Sequence, residues 1–190
     1  MTARWVVDEV QVARDLRITW QPISLLLKNQ PEEGSRVHAG VLASYKMLRV
    51  MESVRASEGE DGTFAFYWEL GRRIHHDGER DFTPADALAA AGLPVSHAAA
   101  AEDEAFDDEL RRRQDAGLAL VGEDVGTPII ALDGPDGAPR GIFGPVITRV
   151  PDREQSLVLW DAMVSVMTID GFWELKRTRA ERPEFGDRPA

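Results

Sequence analysis

Gly122-Glu123-Asp124-Val125-Gly126-Thr127-Pro128-Ile129-Ile130-Ala131-Leu132-Asp133 leads into Gly134-Pro135-Asp136-Gly137, and the chain resumes as Gly141-Ile142-Phe143-Gly144-Pro145-Val146-Ile147-Thr148-Arg149-Val150-Pro151. Two apolar runs, Ile129 to Leu132 and Ile142 to Ile147, flank a Gly/Pro/Asp cluster. Such a cluster is a turn signal, so the stretch predicts a β-hairpin led in by Pro128. A proline before a strand donates nothing to the ladder. Two readings of Pro128 stay open: a trans strand-starter, or a cis proline at a loop apex that presents neighbouring backbone to a ligand.

Outward from the hairpin, the pattern is mostly helical. Trp5, Val6, Val10 and Ala13 repeat at helical spacing and predict a helix over Thr2–Asp15 that opens without a capping residue. Arg17 to Gln21 alternates polar and apolar, with Ile18 and Trp20 on one side, and predicts a strand. It runs on into Pro22–Leu27, which reads as buried strand or as a turn into a loop. Residues 28–34 are a break. Val41, Tyr45, Leu48 and Met51 predict a helix over 37–56. Residues 57–62 read as a solvated linker, and Thr63 as the cap of a second helix ending near His75. Thr83-Pro84 predicts an N-cap and first turn stopped by Gly92. Ser96 is read as a further cap, and Glu102 as the start of a helix carrying Phe106, Leu110 and Val121 inward to Gly122. Pro151-Asp152 opens a last helix with Leu157, Trp160, Val164 and Met167 as its core stripe. Phe172–Leu175 is expected to be an apolar anchor, followed by a frayed tail.

Composition narrows the chemistry. The 190 residues carry a net charge of -11, which opposes nucleic acids and anionic membranes as partners. The absence of cysteine removes disulfides, thiolate catalysis and Cys-ligated metal from this sequence. No apolar run reaches the ~20 residues of a membrane span. No signal peptide is visible. There is no Gly-x-Ser-x-Gly elbow. His75-His76-Asp77 offers adjacent rather than same-face ligands, so it reads as a polar helix end and not a metal site. The acids from Glu102 to Glu109 and the run Arg111-Arg112-Arg113 read as solvated helix surface.

Three strings carry a family resemblance: Gly122 to Pro128, Phe143-Gly144-Pro145, and Glu174-Leu175-Lys176-Arg177-Thr178-Arg179. Together they resemble the mycothiol-dependent nitroreductase group of the DsbA-like proteins of actinobacteria, through most of the chain and most specifically in its last third. The resemblance implies an α/β, thioredoxin-like (DsbA-like) fold with a helical insertion. Residues 1–30 and 122–178 would form the thioredoxin-like domain, 31–121 the helical insertion and 179–190 a flexible tail. It implies a cytoplasmic thiol-disulfide oxidoreductase, with mycothiol as thiol co-substrate, no metal, and a small-molecule or protein thiol or disulfide as substrate. Thr127 and Pro128 would position that substrate, and Asn29 and His75 would line the cleft. For Asn29 a loop cap, and for His75 a satisfied helix-end histidine, are the competing readings.

The resemblance also implies what this sequence lacks. Family members begin with a strand and a Cys-Pro-Trp motif at the head of the first helix. Met1-Thr2-Ala3-Arg4-Trp5-Val6-Val7 looks like the part of that helix just after the motif. The expectation is therefore an N-terminally truncated, inactive form without the first strand, unpaired strand edges, and poor order over residues 1–30. An alternative is a cysteine-free protein that binds a thiol cofactor or partner without redox chemistry, as a relative of the kappa glutathione transferases and 2-hydroxychromene-2-carboxylate isomerases or as a binding module.

Overall fold

In the computed structural model, which describes residues 1–189, the chain divides into two compact units. One comprises Met1–Ile18 and Gly117–Gly186, and the other Thr19–Ala116 with residues 187–189. Secondary structure is mixed, mostly helical with one small antiparallel sheet, so the class is α/β.

The first unit is built around the hairpin. Strand β1 spans Ile129–Asp133 and β2 spans Pro139–Phe143. The register pairs Ile129 with Phe143, Ile130 with Ile142 and Leu132 with Arg140. Period-two alternation turns Ile130, Leu132 and Ile142 to one face, where they meet a core of Trp5, Val10, Trp160 and Met163. Gly141 is required on the other face, since a Cβ there would lie 2.7 Å from the Cβ of Leu120.

Helix α1, Thr2–Trp5, runs on as a π turn over Val6–Val10, and its Trp5 and Val10 are fully buried. Trp5 meets Trp160 at 5.9 Å between ring centroids. Trp160 comes from the last helix, Arg153–Met167, which is capped by Asp152 accepting from the Gln155 N–H. The sequence-based helix Thr2–Asp15 thus stops short: residues 11–15 are turn, and Asp15 takes φ 50°.

The second unit is helical. Helix α2 is Leu25–Asn29, α3 is Arg36–Arg72, α4 is Pro84–Ala90 and α5 is Asp107–Leu118; the last helix of the chain is α6. Val50, Val54, Phe66, Ala87 and Leu88 form its core. Around it lie ion pairs with little solvent. Arg49 holds Asp107 through both oxygens at 2.7 and 2.9 Å. Glu52 lies against Arg55 and Arg113 at 3.3 and 3.0 Å.

Several expectations are corrected here. No strand forms at Arg17–Gln21. The segment has no regular secondary structure, and the described residues contain only the strands β1 and β2. Trp20 instead satisfies its backbone on side chains: its N–H donates to Glu60 at 3.1 Å, and its carbonyl accepts from Arg55 at 2.5 Å. Pro22–Leu27 is neither strand nor plain loop, because Ser24 caps α2 by accepting from the Leu27 N–H.

Residues 57–62 are not a solvated linker. The helix continues through them with one break, at Gly59 (φ 69°, ψ -159°). Thr63 is not a cap; it is buried, and its hydroxyl donates to the Gly59 carbonyl. Ser96 lies inside a 3-10 helix, Val95–Glu102, that lacks a side-chain cap. Arg113 is not solvated surface, since Glu52 and Glu109 enclose it. Phe172–Leu175 is no anchor: Trp173 and Leu175 are 89 and 87 % exposed. Residues 1–30 are tied in, with Trp5, Val10, Pro22 and Ser24 buried. The Thr83-Pro84 start of α4 is as expected, with a full capping box to Asp86.

Candidate functional site

The site is assembled at the open end of the hairpin. Pro128 immediately precedes β1, and Gly144-Pro145 immediately follows β2, so the register sets both prolines side by side. Thr127–Pro128 and Gly144–Pro145 are both cis peptides. The Gly144 N–H donates to the Pro128 carbonyl at 2.8 Å. Gly144 sits at φ 104°, a backbone setting that side chains disfavour, and a Cβ there would stand 3.3 Å from the Val146 nitrogen. The buried Thr2 hydroxyl donates to the Pro145 carbonyl at 2.7 Å, which ties the second proline to the start of α1.

Within this frame Thr127 is exposed, and neither its backbone N–H nor its carbonyl has a hydrogen-bond partner among the described residues. Pro128 is half-buried and its carbonyl is taken by Gly144. A held frame therefore presents one unused donor and one unused acceptor at a single residue. One donor and one acceptor on a single residue are the groups an extended backbone can offer to an amide.

Asn29 and His75 belong to the second unit, on different elements. Asn29 is the exposed last residue of α2. The Ser24 N–H fixes the start of that helix on the buried Gln114 side chain at 2.7 Å. His75 lies in a π turn, Arg73–Asp77, closed by Gly78 in the left-handed region. Desolvation by the surrounding protein is the main effect that lowers its pKa below the ordinary imidazole value, so the ring is neutral at pH 7. Asp77, two residues on, is held by Arg188 at 2.8 and 2.9 Å. The structure thus joins Thr127 and Pro128 in one loop and places Asn29 and His75 in the other unit.

Sequence reasoning missed two parts of the frame. The Gly144-Pro145 doublet is a turn signal, yet nothing in it announces that it lies beside Pro128 until the register is known. Thr2 carries no sequence signal for its role. Among the described residues no group of three or more His, Asp or Glu side chains converges as a metal would require.

Residues 1–177 match the model of the family described as mycothiol-dependent nitroreductase Rv2466c, Rv2466c-like. The chain belongs to this family. The match covers both units, the hairpin with its two prolines, and the segment from Glu174 to Arg177. Membership associates the chain with mycothiol-dependent redox chemistry. Among the described residues, no helix is long and apolar enough to cross a membrane.

Proposed function

We propose that this chain supplies the substrate-holding part of a mycothiol-dependent thiol-disulfide reductase with a DsbA-like, thioredoxin-like fold, and that Thr127 and Pro128 position the thiol-bearing substrate. The observation that carries this reading is the unused N–H and C=O of Thr127, held beside Pro128 by the Gly144 hydrogen bond. An amide-containing thiol such as mycothiol presents complementary groups to that pair. Asn29 and His75 are assigned to the cleft in the same reading, His75 as a neutral imidazole able to donate or accept.

Disulfide exchange requires a thiolate that attacks one sulfur and expels the other. None of the 190 residues is a cysteine, so the attacking thiolate comes from outside these residues. The chain then binds and orients and does not itself carry electrons. Titration of the chain with mycothiol disulfide, followed by amide NMR, tests the placement. Shifts are expected at Gly126, Thr127, Ile129 and Gly144. Saturable binding that leaves those amides unmoved would sink the assignment.

The absence of cysteine favours a second reading of the same loop, in which mycothiol is held as a thiol cofactor and its own sulfur reacts. In that case the chain accelerates displacement of chloride from an activated chloronitrobenzene by the mycothiol thiolate. A rate equal to that of mycothiol alone would remove this reading and leave the first intact.

A further inference from the structure

Five Asp-Gly pairs punctuate the chain: Asp61-Gly62, Asp77-Gly78, Asp133-Gly134, Asp136-Gly137 and Asp170-Gly171. This dipeptide carries a chemistry of its own. The glycine nitrogen can attack the side-chain carboxyl carbon of the aspartate, because no Cβ shields that nitrogen and the glycine backbone turns freely. The attack needs an unengaged N–H, a carboxyl free to swing and room for the peptide plane to rotate. A nitrogen whose hydrogen is already bonded must first wait for a local opening.

Four of the pairs are held by the fold. Gly62 lies buried inside α3, where N–H groups serve the helix ladder, and a Cβ on it would stand 2.4 Å from the Glu58 Cβ. The Gly78 N–H donates to the Arg73 carbonyl, and the Asp77 carboxylate is clamped by Arg188. In the hairpin turn the Gly134 N–H donates to the Ala138 carbonyl at 2.7 Å, and the Gly137 N–H to the Gly134 carbonyl at 2.9 Å. Asp136 is further engaged by the Ala138 N–H and by Arg140.

Asp170-Gly171, in the turn after α6, differs in each respect. The hydrogen bonds of that turn pass it by. The Ile169 N–H donates to the Val166 carbonyl and the Phe172 N–H to the Ile169 carbonyl, at 3.1 and 3.2 Å, whereas the Gly171 N–H has no acceptor among the described residues. Gly171 is exposed at φ 79°, with no atom within 4 Å of where a Cβ would sit. The Asp170 side chain is 101 % exposed, and its ionic neighbour is Arg140 at 3.9 Å. A surface contact of that kind holds a side chain weakly.

We propose that Asp170 is a site of spontaneous isoaspartate formation in the folded protein, and that the fold protects the other four pairs. The Gly171 nitrogen bonds to Asp170 Cγ, its proton leaves with the carboxyl oxygen as water, and the ring that closes is a succinimide. Water then opens the ring. Cleavage between the nitrogen and the main-chain carbonyl carbon leaves the chain running through Cγ, with a free α-carboxylate. One water leaves and one returns, so composition and charge are unchanged and no oxidant or cofactor enters. The product adds one methylene to the backbone path between α6 and residues 172–179. Its exposed α-carboxylate suits an enzyme that methylates isoaspartate from S-adenosylmethionine.

The test follows the full chain at neutral pH over several weeks, with isoaspartate located by peptide mapping and electron-transfer fragmentation. Modification at Asp170 is expected to run at least ~tenfold faster than at Asp61, Asp77, Asp133 or Asp136, because those pairs react only through local opening. In guanidinium chloride, where every nitrogen is free, the five rates are expected to converge. Asp170→Glu alters a fully exposed side chain and would demand a larger ring. It is expected to keep the circular dichroism spectrum and to remove most methyl acceptance from isoaspartyl methyltransferase. An Asp170 that stays unmodified overturns the proposal, as does comparable accumulation at another pair of the folded chain. So does a preference for Asp170 that persists undiminished in guanidinium chloride, which would belong to the local sequence and not to the fold.

Discussion

Gly144 donates its backbone N–H to the Pro128 carbonyl at 2.8 Å, across the mouth of the hairpin. The bond depends on the φ of 104° that Gly144 adopts. Gly144→Ala places a Cβ 3.3 Å from the Val146 nitrogen in a region L-residues avoid. It is expected to cost about 1–2 kcal/mol, read as a lower urea midpoint at unchanged slope. The same variant is expected to weaken mycothiol disulfide binding, because the frame beside Thr127 relaxes.

Trp5 gives a sharper test of packing. It is fully buried against Trp160, and its indole N–H has no hydrogen-bond partner among the described residues. Trp5→Ala removes a large buried group and is expected to cost about 3–5 kcal/mol. Trp5→Phe keeps most of the apolar contact and gives up no hydrogen bond. It is expected to cost less than half as much in the same unfolding experiment.

Arg55 serves three acceptors at once: Glu52, Glu60 and the Trp20 carbonyl. The Arg55 and Glu52 side chains are 8 and 3 % exposed. Arg55→Met would strand the Glu52 carboxylate with only Arg113 as partner and leave the Trp20 carbonyl unpaired. Breaking one side of a buried pair costs about 3–5 kcal/mol. Denaturant unfolding measures that loss. Trp20, no longer held against Phe64 and Tyr67 at 5.6 and 4.9 Å, is expected to become more accessible to acrylamide quenching.

Both tyrosines resist ionisation. Burial, aided by the neighbouring Asp107 carboxylate, pushes the Tyr45 phenol up to about 12. Burial also raises Tyr67. The unfolded chain ionises its phenols near 10, so the folded state holds those protons more tightly. The resulting stability is fully present below pH 10 and is lost as the pH rises toward 12. The phenolate absorbance of the folded chain is expected to rise at a higher pH than that of the unfolded chain. A titration centred at 10 with the fold intact would contradict the burial of both rings.

The acid side has the opposite sign. A hydrogen-bonded ion pair with Arg49 is the main cause that lowers Asp107 below its ordinary carboxylate value. Stability from a depressed carboxylate is present above the unfolded value, about 4, and is lost as the pH falls through the folded one. Arg49→Met is expected to flatten the decline in melting temperature below pH 4. An unchanged slope would assign acid unfolding to other carboxylates.

The hairpin was legible because its signals are local. A Gly-Pro-Asp-Gly cluster between two apolar runs has few other solutions, and the Thr83–Asp86 capping box is likewise complete within four residues. Arg17–Gln21 misled because alternation reports only that one side is buried. Stacking of Trp20 on Phe64 achieves that burial without a ladder. Residues 57–62 misled through composition. Ser, Glu, Gly and Asp read as solvated, whereas Glu60 is spent on Arg55 and Trp20 inside an almost continuous helix. Of the site, Thr127-Pro128 could be read directly. The adjacency of Gly144-Pro145 could not, because it depends on a register that no single residue encodes.

The grip on Trp20 also bears on how strain crosses the chain. Trp20 is the second residue of its unit, just after the passage at Ile18–Thr19. A ladder would distribute a pull along this segment over several rungs. Here one guanidinium and one carboxylate, on opposite sides of the Gly59 break, take it at a single peptide unit. The segment that enters the second unit is thus fastened by side chains to both sides of the bend in α3, and not to a sheet.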